Sequence, residues 1–101
     1  MGNRLDLQNL FEELLGSDQV YYDPPEAKKI EYPAIVYSKT DIWNNRANDN
    51  LYNKRTRYDL VVIDRRPDNP VIDKLLKVPY CSYDRHYTSD NLHHDSLTIY
   101  Y

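Results

Sequence analysis

The pattern of the chain predicts an α+β domain: a mostly antiparallel, twisted sheet with two helices packed on one face and a long projecting β-hairpin. Three observations predict it. Leu7, Leu10, Phe11, Leu14 and Leu15 recur at i, i+3, i+4, i+7 and i+8, the stripe of an amphipathic helix. Two strand-like runs, Tyr32-Pro-Ala-Ile-Val-Tyr-Ser38 and Arg57-Tyr-Asp-Leu-Val-Val-Ile-Asp64, flank a polar stretch rich in Asn, Asp and Arg. The C-terminal third alternates apolar and polar residues about a Ser89-Asp90-Asn91 turn, as a second hairpin would. With 101 residues the chain suits a single domain over 1–101.

The first helix is expected over Arg4–Leu15. Asn3 or Asp6 would cap its start and Gly16 its end. Gln8, Asn9, Glu12 and Glu13 would face solvent. Residues 18–22 make a short strand, which the Asp23-Pro24-Pro25-Glu26 run interrupts. Proline lacks a ladder donor, so this is an edge passage. Ala34, Ile35, Val36 and Tyr37 are continuously apolar, which implies burial on both faces. In the return strand Tyr58, Leu60 and Val62 share one face, and Asp59, Val61 and Ile63 the other. Asn69-Pro70 reads as a helix start, with Asn as cap and Pro first. Ile72, Leu75 and Leu76 then form a short stripe that Pro79 stops. From Tyr80 to Ser89, strict alternation puts Cys81, Tyr83, Arg85 and Tyr87 on one face. It puts Tyr80, Ser82, Asp84 and His86 on the other. The last strand carries Leu97, Ile99 and Tyr101 on one side. The element order is α–β–β–β–α–β–β, with no internal repeat.

Composition narrows the function classes. Tyrosine is heavily used, 11 against one Phe and one Trp. Tyr joins apolar area to a polar tip and suits half-buried sheet faces and wet interfaces. The net charge is −3 with a pI near 5.5, against the basic balance of a duplex-binding module. A single cysteine, Cys81, excludes an internal disulfide and fits a reducing compartment. The start, Met1-Gly-Asn-Arg-Leu-Asp6, lacks a signal peptide's apolar core, and no apolar run is long enough to span a bilayer. The expectation is a soluble cytosolic protein. Two glycines leave no room for a phosphate-binding loop.

The polar stretch between the two long strands, residues 39–56, is the main functional lead. A small protein rarely orders a projecting polar arm unless something binds there. It holds the only Trp, and the most basic cluster, Lys54, Arg55 and Arg57, lies at its end. Trp, Tyr and Arg are enriched at protein interfaces. Trp43, Asn45, Arg46, Asn48, Tyr52, Lys54, Arg55 and Arg57 are therefore the candidate surface for a sister subunit or another partner.

No catalytic constellation stands out, and no cofactor or metal site is expected. Cys81, His86, His93 and His94 resemble a scrambled metal set. Strand parity sends Cys81 and His86 to opposite sides and separates His93 from His94. An alternative of another class is a small toxin-like endoribonuclease, with Arg55, Arg57, Arg85, His86 and Tyr87 as charge-stabilising and acid–base groups. The acidic balance argues against it, because substrate phosphates need a cationic cradle.

Several runs carry a family resemblance: Val20-Tyr-Tyr-Asp-Pro-Pro-Glu26, the two long strands continued through Arg65-Arg-Pro-Asp68, Asp84-Arg-His-Tyr87 and Asp90-Asn-Leu-His93. In their order, from about Leu7 to Tyr101, they resemble the small neck proteins of long-tailed bacteriophages, and most of all the tail terminator, or tail completion, proteins. That resemblance implies a non-enzymatic virion protein of the tail or neck, assembled in the host cytoplasm. It implies a homo-oligomer, a hexameric ring that caps the tail tube and meets the head connector or stopper protein. DNA would pass through the ring without specific binding, and no membrane is involved. A head–tail joining or stopper protein is the alternative within the same group.

Overall fold

The computed structural model of the chain describes residues 4–25, 29–45 and 52–101, of which residues 41–45 and 52–55 are described by their backbone alone. The elements run α1 (Arg4–Leu15), β1 (Val20–Tyr22), β2 (Ala34–Asn45), β3 (Tyr52–Asp64), α2 (Val71–Leu76), β4 (Cys81–Ser89) and β5 (Leu92–Tyr100). This is an α+β fold in the expected element order. The five strands form one mixed sheet, ordered β1-β2-β3-β5-β4. Among the described strands only β1 and β2 run parallel; the other neighbours are antiparallel.

Both helices pack on the same face. Leu7 and Phe11 of α1 and Val71 and Leu75 of α2 join Val20, Ile35, Tyr37, Tyr58, Leu60, Val62, Leu97 and Ile99 in a single buried cluster. The ladder explains why these residues meet. Val20 is paired with Ile35 and Ile35 with Val62, while Tyr37 is paired with Leu60 and Leu60 with Leu97, and directly opposed residues share a face. Tyr37 is the hub. Its ring lies 5.1 Å from Phe11, 5.0 Å from Tyr22 and 5.8 Å from Tyr58, at the tilted and edge-on angles aromatic pairs favour. Its hydroxyl donates to Gln8 Oε1, and Gln8 Nε2 donates to the Val20 carbonyl at 2.9 Å. Gln8 is therefore not a solvent-facing residue of α1. It sits beside Leu7 at the rim of the buried stripe and satisfies a core hydroxyl that would otherwise lack an acceptor. Burial raises the pKa of both Tyr37 and Tyr58, so both phenols stay neutral.

The local signals behave as their chemistry requires. Gly16 ends α1 at φ +80°, the left-handed region, where its N–H reaches the Glu12 carbonyl at 2.9 Å. Asn69 Oδ1 accepts the Val71 N–H at 2.9 Å, so the asparagine caps α2 from just before Pro70. Within α2 the buried residues are Val71 and Leu75; Ile72 is half-buried and Leu76 is exposed, so the apolar stripe lies one step earlier than expected. Asp90 and Asn91 both take positive φ (53° and 64°) in a two-residue connection between the paired Ser89 and Leu92. That is the geometry which lets a tight hairpin follow the strand twist.

Two features stand out against the sequence pattern. The polar stretch after Ser38 continues as ladder where it is described. β2 and β3 pair from Ala34–Ile63 out to Asn45–Tyr52, with register shifts between Lys39 and Asp41 and between Trp43 and Asn45. Among the described pairings, residues 42–45 pair only with residues 52–56, because β1 reaches only Tyr37 and β5 only Arg57; Tyr101, just past β5, donates its N–H to the Thr56 carbonyl at 2.9 Å. The Cα radius of gyration is 14.5 Å, against about 13 Å for a compact chain of this length. The second feature lies in β4, where the register slips between Tyr83 and Arg85. Asp84 is an extra residue against β5, and such a bulge reverses the parity of everything beyond it.

Candidate functional site

Two polar regions lie at opposite ends of β3. The first lies where β2 and β3 run past the ends of β1 and β5. Arg57, the innermost of the expected interface residues, has its Nε 3.4 Å from Asp59 Oδ1, so its charge is partly matched on its own strand. Behind it, on the sheet face away from the helices, Thr98 Oγ1 donates to Asp84 Oδ2 at 2.7 Å and lies 3.4 Å from Asp59 Oδ1. Thr40 Oγ1 donates to the Arg57 carbonyl at 3.3 Å near the first register shift. This region is thus stitched across β2, β3, β4 and β5. Farther out, Trp43 is paired with Arg55 and Asn45 with Tyr52 along the ladder, and Lys54 falls at the second register shift. Arg46 and Asn48 lie outside the described residues.

The second region is the end of the β4–β5 hairpin, on the helix side of the sheet. Its centre is Asp95, only 8% exposed and paired with Val62 in the ladder. Asp95 Oδ1 accepts the Tyr83 hydroxyl at 2.7 Å and stands 2.8 Å from His86 Nδ1. His93 follows, with its Nδ1 3.4 Å from His86 Nε2. Strict alternation would have put His86 on the other face, beside Asp84. The extra residue at Asp84 returns it to the face of Cys81 and Tyr83, opposite Asp95. This corrects the expectation that Cys81 and His86 point apart.

The environment tunes these groups. Partial burial, the hydrogen bond to Asp95 and that carboxylate's charge push the Tyr83 phenol up to about 12, so it is a fixed donor at neutral pH. The Cys81 thiol is raised to about 11 by burial and by the Asp84 charge. Its sulfur packs against the core and stays protonated, a poor nucleophile and a poor metal ligand at neutral pH. Among the described residues no group of three or more His, Cys, Asp or Glu side chains is placed to hold a metal ion.

Asp95 and Tyr83 also border an open groove of about 560 Å³, walled by residues 67–70 and by Ile72 and Leu76 of α2. Asp64 closes the strand beside this loop, accepting Asn69 Nδ2 at 2.8 Å and the Arg66 backbone N–H at 3.2 Å. It fixes the loop that carries α2 into place.

The residues considered for RNA cleavage do not converge. His86 faces the helix side, whereas Arg85, Tyr87 and His94 stack on the far side. The Arg85 guanidinium is 4.9 Å from the Tyr87 ring, and that ring is 4.8 Å from His94 at 16°. Arg57 lies at the other end of β3. What the sequence reading missed is the Tyr83–Asp95–His86–His93 chain. The available signal was an aspartate amid the apolar alternation of β5, at a position where Leu97 and Ile99 set a buried face. Among the described residues no helix is long and apolar enough to cross a membrane. No family model and no curated protein matches the chain.

Proposed function

We propose that this chain is a non-enzymatic assembly subunit of a long-tailed phage virion, a tail terminator that forms a ring on the end of the tail tube and joins it to the head connector. The observation that carries this reading is the hairpin arm. Residues 42–45 pair with residues 52–56 past the ends of β1 and β5, with Thr56 held on the other side only by the Tyr101 N–H, on a sheet whose core ends at Tyr58. A polar ladder with so few neighbours costs chain entropy to order. Contacts with a second body, a sister subunit or the tube, would offset that cost. The order of the short motifs along the chain supports the same class. So does the acidic balance, since a ring through which DNA must slide gains nothing from holding it.

The test is direct. Full-length protein is mixed with purified tail tubes and with head connectors, then examined by sedimentation and negative-stain electron microscopy. The expected outcome is a six-fold ring at one end of the tube that arrests further polymerisation of tube subunits. Protein that stays monomeric at high concentration and binds neither tubes nor connectors overturns the proposal. Binding to connectors without tubes moves the chain to the head–tail joining or stopper class.

A further inference from the structure

The β4 bulge brings two imidazoles from different strands together on one face of the sheet. His86 Nε2 and His93 Nδ1 face each other at 3.4 Å, with ring centroids 5.4 Å apart and planes tilted by 31°. For a nitrogen donor this is a long contact, since such hydrogen bonds centre near ~2.9–3.0 Å. It fits another geometry better. Two imidazole nitrogens, each about 2.0–2.1 Å from a shared zinc ion at a tetrahedral angle, stand about 3.3–3.4 Å apart.

The surroundings of His86 point the same way. Its Nδ1 is 2.8 Å from Asp95 Oδ1, and Asp95 is buried and held by the Tyr83 hydroxyl at 2.7 Å. A carboxylate on one ring nitrogen keeps the proton there and leaves the lone pair of the other nitrogen free. It also fixes the ring's orientation. Metal-ligating histidines are held in the same way. Neither nearby carboxylate is free to act as a third ligand. Asp95 is engaged by Tyr83 and His86, and Asp64 by Asn69 and Arg66. His86 keeps 39% of its side chain exposed, so an ion and its remaining ligands have access.

We propose that His86 and His93 form a two-imidazole site for a borderline divalent ion of the zinc class, with Asp95 as the carboxylate that positions His86. The chain supplies two ligands, and solvent or a group from outside the chain fills the other positions. This site is independent of the assembly reading, since it lies at the end of β3 remote from the arm.

Untagged, chelator-stripped protein is titrated with Zn²⁺ by calorimetry, and with Co²⁺ by visible absorption. One ion per chain is expected. His86→Ala and His93→Ala each abolish uptake. His94→Ala, adjacent in sequence but on the opposite face, leaves it unchanged. Asp95→Asn weakens binding by about 10–100-fold, the usual loss when the carboxylate behind a ligating histidine is removed. Thermal melts of each variant check folding, and His86→Gln serves as the second variant if His86→Ala melts early. Absence of uptake by the parent protein overturns the proposal. So does uptake unaffected by both histidine substitutions, or a sulfur-to-cobalt charge-transfer band that Cys81→Ser removes.

Discussion

β3 carries a polar region at each end, and the two are built by opposite means. Toward Tyr52 the strand leaves the sheet with β2 alone, and residues 52–55 have no other strand beside them among the described pairings. Toward Asp64 it stays between β2 and β5, and a loop and a helix close over it. At the first end order comes from a ladder of local pairs. At the second it comes from buried acceptors, Asp64 and Asp95, each satisfied by several donors. A region of the first kind can be removed without disturbing the core. A region of the second kind is part of it. The difference predicts how each end responds to change.

The middle of β3 should be the most sensitive, because both ends hang from it. Leu60 is fully buried and sits between Tyr37 and Leu97 in the ladder. Leu60→Ala should cost about 2–5 kcal/mol, read as a lower urea midpoint. A loss well under 1 kcal/mol would break the picture of one core serving both ends.

Next comes the closed end. Asp64→Ala removes an acceptor shared by Asn69 Nδ2, the Arg66 N–H and the Arg66 guanidinium. Arg66 is well exposed, so its ion pair adds little. The loss of the half-buried Asn69 bond should set a total cost of about 1–3 kcal/mol. Faster hydrogen exchange along 67–76 should accompany it, because this loop positions α2. Tyr83→Phe is milder. It deletes one donor to Asp95 and leaves His86 in place, for about 0.5–1.5 kcal/mol. A larger loss from Tyr83→Phe than from Asp64→Ala would mean that the groove, not the strand end, organises this region.

Much of this was readable from local pattern. The helix over Arg4–Leu15, the alternating faces of β3, the Asn69 cap and the Asp90-Asn91 turn each depend on residues close in sequence. Three things were not. Gln8 turns inward because Tyr37, 29 residues away, needs an acceptor. β5 lies inside the sheet and β4 at its edge, an order that no local propensity encodes, although the run Leu97-Thr98-Ile99 is buried on both faces. Above all, the bulge at Asp84 inverted the parity of β4. Nothing in Tyr83-Asp84-Arg85 marks a bulge, since no glycine stands there. One inserted residue therefore decided whether His86 lay beside Asp84 or opposite Asp95. The histidine cluster was illegible for that reason, while the strand ends of β2 and β3 beyond Ser38 were marked by a plain change in composition.

The open end should respond least in stability and most in assembly. Replacing residues 44–54 with an Asn-Gly turn connects the paired positions Trp43 and Arg55 directly, in the turn chemistry a two-residue hairpin prefers. The buried cluster of the described residues is built from Tyr37, Tyr58 and other side chains outside this span. The melting temperature should therefore move by less than about 4 °C, the shift that ~1 kcal/mol produces in a domain of this size. Assembly should be lost altogether, with no rings on tail tubes under conditions where the parent forms them. Trp43→Ala asks the same question with one side chain. If Trp43 anchors the contact, its removal should weaken binding to tubes by about 2 kcal/mol or more, the range of an interface hot spot. A large fall in melting temperature for the shortened hairpin would make the arm a member of the core, and the two ends of β3 would no longer differ in kind. A stable, shortened protein that still forms rings would leave the difference standing but move the binding surface elsewhere, to the face of the sheet that holds Tyr87 and Asp59.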